Sequence, residues 1–393
     1  MAEHIEDFEE AFRVIKTGEN TWRGAHPLRL PIKMARGVYG GNTIAQTLLV
    51  AIESTRQGDE VFIPESFHLY FVKAGNAKIP MEYEVNNCYD DHILKQRDIK
   101  VIQKGKVVST ALCTLRKQTV SSNTSNSGKS STFSISPEIP QLYNKYPQPN
   151  KLHRTYHTDY VRNAYSDEFV DYNLCPEEKN IPPAERWITV WSGTNNIIDP
   201  KYANCRQEVT EEIHQTIVKA IDQDEQEEGY STVQLLDAGP SKIIPPKYQK
   251  SFTDPMFNLI GLANLSDSAL LTTLARILHI PWNPTEDHPF LEYDGSKDAK
   301  QIMVHSLNAI QIFHYSAMSL DHHIYFHIDN FEDDNFFDVV KEWLCFSYQV
   351  KRLSNNRSLV RGHLFNEKKK CVATVIQEGL TYMFQGIPDN IKL

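Results

Sequence analysis

The stretch Met318 to His327, M-S-L-D-H-H-I-Y-F-H, places a hydroxyl, a carboxylate and three imidazoles side by side. Apart from His322 it alternates as a strand, with Met318, Leu320, Ile324 and Phe326 on one face and Ser319, Asp321, His323, Tyr325 and His327 on the other. Such polar groups on a half-buried sheet either pair with one another or handle a ligand, because a buried polar group without a partner is costly. A Ser-His-Asp relay is disfavoured: the chain has no G-x-S-x-G elbow, and residues two apart on a strand point side by side. A metal shared by His323 and His327 is disfavoured too, since a strand separates them by about 13 Å and no H-E-x-x-H pattern exists. For each histidine, His322 on the apolar face included, a satisfied core or interface role is the plain alternative.

Two further polar positions stand next to apolar elements. Asp267, in N-L-S-D, precedes a predicted helix whose buried stripe is Leu270, Leu271, Leu274, Ile277 and Leu278 and which Pro281 stops. There it reads either as an N-cap or as an ionised carboxylate able to act as general base on water. Gln377 ends the strand Cys371 to Gln377, as a surface amide or as part of a site. Lys351, Arg352, Arg357 and Arg361 form a basic cluster in the same region, either a solvated surface or a seat for phosphates.

The elements that must position these residues fall into two blocks. In the first, an acidic N-terminus with Ile5, Phe8, Phe12 and Ile15 at helical spacing predicts an amphipathic helix rather than a secretory signal. Gly40-Gly41-Asn42 leads into a helix over 43–56 with Ile44, Leu48, Leu49 and Ile52 on one face, capped by Asn42 or Thr43. Strands follow over 61–72, 81–86, 93–103 and 107–115, and this domain ends at Arg116. Residues 117–183 read as a Ser/Asn/Pro-rich linker. The second domain, 184–393, carries an acidic insertion near 195–250 with a helix through Val209, Ile213, Ile217 and Ile221. It continues with an apolar strand over 257–265, the helix after Asp267, the Met318 to His327 strand, and strands over 342–353, 358–365 and 371–377. A helix plus antiparallel strands, twice over, is an α+β duplication.

Bulk properties narrow the function. The 393 residues carry a net charge of -9 with 23% charged and 40% hydrophobic residues, which suits a two-domain globular enzyme and argues against broad nucleic-acid binding. An anionic substrate therefore needs a local basic patch. Six scattered cysteines without a C-x-x-C pair signal neither a disulfide framework nor a zinc site. No apolar run reaches the roughly 18–20 residues of a membrane span. The terminal Ile391-Lys392-Leu393 approximates a peroxisomal S-K-L address, with Ile where a small residue usually stands.

R-G-V-Y-G-G-N-T-I-A-Q-T-L (36–48), S-F-H-L-Y-F-V-K-A-G-N (66–76), S-L-D-H-H-I-Y-F-H (319–327), L-V-R-G (359–362) and V-I-Q-E-G (375–379), taken in order, resemble the acyl-CoA thioesterase II family, including its peroxisomal members. The resemblance implies an α+β double hot-dog, two antiparallel sheets each wrapped around a central helix. It also implies hydrolysis of fatty acyl-CoA to free acid and CoA without a cofactor, metal or covalent intermediate. By the same resemblance Asp267, Ser319 and Gln377 are the catalytic residues acting on one water; on physical grounds Asp267 is then the general base, Ser319 and Gln377 position the water, backbone N–H groups at the helix start help the oxyanion, and Asp321 lends structural support through hydrogen bonding. Arg357 and Arg361 are the candidates for CoA phosphates.

The chain departs from the family at Asn42, where G-G-Q is usual, and at Lys73-Ala74-Gly75-Asn76. The expected partners are the acyl-CoA substrate, further copies of the chain and a peroxisomal import receptor. The expected location is the peroxisomal matrix, or the cytosol should the terminal tripeptide not work. Two other functions remain open: a non-catalytic acyl-CoA-binding hot-dog protein, and an enoyl-CoA hydratase, for which no Asp/His hydratase motif is found.

Overall fold

The computed structural model describes residues 5, 7–31, 35, 37–56, 58, 60–118, 135–140, 154–157, 160–165, 169, 174–196, 249–271, 273–279, 315–332 and 336–383. The helix expected in the acidic insertion and the terminal tripeptide lie outside them. Among the described residues the α-helices are α1 (Phe8–Phe12), α2 (Gly40–Glu53), α3 (Phe257–Leu265) and α4 (Leu274–Ile277). The first half contributes strands β1 (Val14–Lys16), β2 (Thr21–Gly24), β3 (Phe62–Phe71), β4 (Glu82–Asp90), β5 (Leu94–Gln103) and β6 (Lys106–Lys117). The second contributes β7 (Arg154–His157), β8 (Val161–Tyr165), β9 (Ile188–Thr194), β10 (Tyr315–Phe326), β11 (Leu344–Ser354), β12 (Arg357–Phe365) and β13 (Cys371–Met383).

The thirteen strands among the described residues form one antiparallel sheet in the order β1-β2-β4-β5-β6-β3-β10-β13-β12-β11-β9-β8-β7. The two halves meet where β3 pairs with β10, so one edge of each half is satisfied by the other rather than left open to aggregation. Each half wraps a helix. Residues Gly41 to Ile52 of α2 and all nine residues of α3 are buried, as the double hot-dog expectation requires.

Total enclosure explains the main departure from the sequence expectation. Phe257–Leu265 is the second central helix and not a strand: a helix buried all round has no polar face, so its short apolar run carries no period to separate the two readings. Asp267 consequently lies just beyond the C-terminal end of a helix, and only the four-residue α4 follows where a long helix was expected.

The segment read as a linker is partly built into the sheet, because β7 and β8 extend its edge beyond β9. A short 3₁₀ helix over Pro176–Asn180 is held by Glu178, which accepts two hydrogen bonds from Arg276 at 2.7 and 3.0 Å. Its strands escape a composition-based reading because the apolar residues are few and interleaved with polar ones.

The leading helix is shorter than its spacing suggested, and Ile15 belongs to β1, where it is exposed. Asp7 caps α1 by accepting the Glu10 N–H at 3.1 Å. Phe8 and Phe12 stack at 4.4 Å and pack against Tyr160, and Phe8 also meets Phe252 and Phe257, all from the second half. The N-terminal helix thereby ties the two halves together. Phe8→Ala leaves a cavity at that junction and is expected to cost about 3–5 kcal/mol in chemical denaturation; a loss under about 1 kcal/mol would show that this helix is not part of the cooperative core.

Candidate active site

Asp267 sits where the two central helices approach each other. Gly41 of α2 comes so close to α3 that an added Cβ would lie 2.2 Å from the Asn264 carbonyl oxygen, and one at Gly40 would lie 2.5 Å from Asp267 Oδ2. Only glycines allow that approach. Asn264 Nδ2 donates to Asn42 Oδ1 at 2.8 Å and Tyr39 OH donates to the Asn264 carbonyl at 3.1 Å, which fixes the helices against one another. Asn42 is thus inside the first turn of α2, and the N-cap is Tyr39 with no side-chain cap bond, rather than Asn42 or Thr43.

The structure brings Asp267, Ser319 and Gln377 together. Gln377 Nε2 donates to Asp267 Oδ1 and to Ser319 Oγ, each at 2.6 Å, and Ser319 Oγ donates to the same Oδ1 at 3.3 Å. That pattern sets the orientation of the amide, since the opposite one would turn its oxygen to a carboxylate. Gln377 is fully buried, contrary to a surface reading, because β13 runs on to Met383 and this residue lies inside the strand.

Ser319 reaches the site through a β-bulge. The pairing of β10 with β13 slips between Ser319 and Asp321, leaving Leu320 as the extra residue. The slip changes the face on which every later side chain lies. Ser319 and His322 therefore both meet the helix side, through Asp267 and Ser266, whereas Asp321 and His323 face outward. The unbroken alternation expected from sequence, with Ser319 and Asp321 on one face, does not hold.

Asp321 accepts the Glu378 N–H at 2.9 Å and lies 3.4 Å from His323 Nε2. Burial works against its ionisation, but hydrogen bonds from His323 and the Glu378 amide hold its carboxyl below the ordinary value. It pins the bulge that turns Ser319 inward.

His323 pairs through Nδ1 with Nδ1 of His68 at 2.9 Å across the seam, and His327 Nε2 lies 2.9 Å from Thr374 Oγ1. Among the described residues no three His, Cys, Asp or Glu side chains gather as metal ligands. Arg357 and Arg361 are not brought to the triad. They project from β12 on the face opposite Gln377, whose register partner is the buried Val360, and Arg357 pairs with Glu378.

The carboxyl of Asp267 is 7% exposed. Burial pushes its pKa up to about 6, against the opposing pull of hydrogen bonds from Gln377, Ser319 and the Gly41 backbone. The sequence reading, a carboxylate kept ionised at a helix start, is corrected in its placement: the helix start that faces it belongs to α2 of the other half, and desolvation outweighs the donors, so that the group ionises only above about 6. The result is a carboxylate poised near neutrality with a hydroxyl and an amide fixed on it, suited to taking a proton from water. Sequence reasoning missed the contribution of Gly40 and Gly41, although the doublet before a helix was visible.

Residues 28–116 match the family model described as the acyl-CoA thioesterase N-terminal domain, and residues 248–381 match its C-terminal domain, together more than half of the chain. The peroxisomal acyl-coenzyme A thioester hydrolase 1 of Saccharomyces cerevisiae is 21% identical over 367 residues, spanning 91% of this chain and 89% of the yeast protein. The acyl-CoA thioesterase II TesB2 of Mycobacterium marinum superposes with a TM-score of 0.54 at 18% identity, covering 96% of this chain and 99% of that one. A hot-dog-fold protein of Alicyclobacillus acidocaldarius superposes with a TM-score of 0.50 at 12% identity, covering 97% and 98% respectively.

The environment of Asp267 has two measurable consequences. If its ionised form is the active one, kcat/KM falls as pH drops through about 6. The folded carboxyl also holds its proton more tightly than the unfolded one, so the fold loses stability as pH rises from the ordinary 3.8 to about 6, a span worth about 3 kcal/mol. Asp267→Asn removes that cost and is expected to raise Tm at pH 7; a lowered Tm would contradict desolvation as the dominant influence.

Proposed function

This chain belongs to the acyl-CoA thioesterase family, and from that premise we propose that it hydrolyses fatty acyl-CoA to fatty acid and CoA with a water activated by Asp267, Ser319 and Gln377. The observation that carries the residue assignment is the convergence of Ser319 of β10 and Gln377 of β13 on one carboxylate oxygen of Asp267 that burial has made basic.

A thioester carbonyl is already electrophilic, so the protein's task is to place water and stabilise developing charge. Asp267 takes a proton from the water as its oxygen attacks the carbonyl carbon. Ser319 and Gln377 hold the water and the carboxyl in register. The intermediate collapses with breakage of the C–S bond, and Asp267 returns the proton to the departing CoA sulfur. The positive N-terminal end of the α2 dipole supplies potential for the oxyanion while its Gly41 N–H is given to Asp267, in place of the second-half helix start expected from sequence. No step uses a metal or a covalent enzyme intermediate. A purely binding role is disfavoured because a binder has no use for an enclosed carboxylate whose ionisation costs stability.

The whole-length likeness to a yeast protein named as peroxisomal supports a peroxisomal setting, with the terminal tripeptide as the candidate signal. Undiminished import of a chain lacking residues 391–393 would remove the tripeptide from that role.

Free-thiol release from a series of acyl-CoA substrates tests the assignment. Asp267→Asn is expected to lose at least about a thousandfold in kcat, and Ser319→Ala and Gln377→Ala about ten- to a thousandfold each, with the fold intact by circular dichroism. Arg361→Glu, on the opposite face, is expected to leave KM within about twofold. Turnover in all three site variants at the unmutated rate would show that the site lies elsewhere.

A further inference from the structure

A third side chain stands against Asp267, beside Ser319 and Gln377, and is not among the residues assigned to the reaction. His322 is fully buried on the inner face of β10, with Nε2 2.8 Å from Ser266 Oγ and Nδ1 3.9 Å from Asp267 Oδ1. Its Nδ1 is buried without a hydrogen-bond partner among the described residues. Ser266 follows the last residue of α3, and its hydroxyl donates to the Ala263 carbonyl at 2.9 Å. A hydroxyl has one proton to give. With that proton on a carbonyl, Ser266 Oγ accepts from the imidazole, so the ring carries its hydrogen on Nε2 and turns a bare Nδ1 lone pair to Asp267.

We propose that His322 is a positioning residue for hydrolysis: its Nδ1 lone pair, 3.9 Å from Asp267 Oδ1 and beyond hydrogen-bond range, disfavours the ionised carboxylate and so favours the protonated form that Asp267 takes on after accepting the proton of water. This rests on the reading of Asp267 as general base. The interaction is repulsive before proton transfer and is relieved by it, so it favours the transition state over the ground state. His322 itself neither gains nor loses a proton in the cycle, which leaves the proton balance of water, Asp267 and the CoA sulfur unchanged.

The surroundings keep the ring neutral. Burial pushes its pKa down to about 3, with His323 adding to that and Asp321 opposing it from the outer face of β10. Among the described residues the packed elements bring no other charge to the inner face here: α3 has no ionisable side chain, α2 offers the Gly41 N–H, β3 sets Leu69 beside His322 with His68 turned outward to His323, and β13 offers Gln377, with Glu378 turned outward to Arg357. A structural role alone, as a filler and partner for Ser266, does not require a ring nitrogen on the Asp267 side.

Two substitutions divide the functions of the ring. His322→Gln keeps an amide N–H for Ser266 and removes the acceptor near Asp267; His322→Asn sets an amide oxygen close to the position of Nδ1. In His322→Gln, kcat is expected to fall about tenfold with KM within about twofold, and the acid limb of kcat/KM to move to lower pH, because Asp267 becomes a weaker base. In His322→Asn the limb is expected to stay near that of the unmutated enzyme.

An unmoved limb in His322→Gln overturns the proposal, an upward move shows that the ring donates from Nδ1, and an equal displacement in both variants removes the acceptor as its cause. Should His322→Gln fail to fold, imidazole ¹⁵N spectra of the unmutated enzyme, assigned by difference against His322→Asn, decide: a pyridine-like Nδ1 supports the proposal and a pyrrole-like Nδ1 overturns it. Asp267→Asn is assayed alongside. Turnover surviving there defeats the general-base reading, whereas its loss with an unmoved His322→Gln limb defeats only the role of His322.

Discussion

The enclosure of one carboxylate at the junction of two helices is the constraint around which the rest of this protein is arranged. Withdrawing Asp267 from water is costly, and the structure offsets part of that cost with the Gln377 amide, the Ser319 hydroxyl and the Gly41 N–H. The offset is incomplete, which is why the group remains basic. Complete compensation by further donors would give a stable, ionised and chemically inert aspartate.

That compensation needs both halves of the chain. Asp267, Ser319 and Gln377 come from the second half, but the amide and the space for the carboxyl come from Gly40 and Gly41 in the first. The β3–β10 seam, the Asn42–Asn264 bond and the anchoring of α1 on the second half are accordingly parts of the site as well as of the fold. A duplicated hot-dog supplies two similar helices, and in this chain the C-terminal end of one is served by the N-terminal end of the other.

The bulge at Leu320 adds a second level of control. Because strand side chains alternate strictly, a single inserted residue exchanges the faces of everything beyond it. Before the bulge β10 presents Ser319 to the site; after it, the strand presents His322 inward and sends Asp321 and His323 to the outer face. Asp321 holds the irregularity in place by accepting the Glu378 N–H. The adjacent S-L-D-H-H letters thus serve two faces and four different tasks.

Much of this was legible in the sequence. Strands β3 to β6 of the first half, the helix that Gly40-Gly41 opens, the β12–β13 hairpin of the second half and the residue types at 267, 319 and 377 are set by local periodicity, turn residues and recognisable motif order, all of which are properties of short segments, whereas the short β1 and β2 carry too few residues to show a period. The identity of Phe257–Leu265 as a helix was not legible, because an element buried on every side has no polar face to give it a period. The face of Ser319 was not legible either, since a bulge leaves the run of residues unchanged and shows only in the pairing with β13. Nor could the sequence place Arg357 and Arg361 away from the triad, or set the basicity of Asp267: both depend on what lies opposite in space, and desolvation is imposed by neighbours far along the chain. The sequence by itself determined which chemical groups are available and the family to which they belong; the tertiary structure alone decided which of them share a face, and how strongly water is kept from the one that carries the charge.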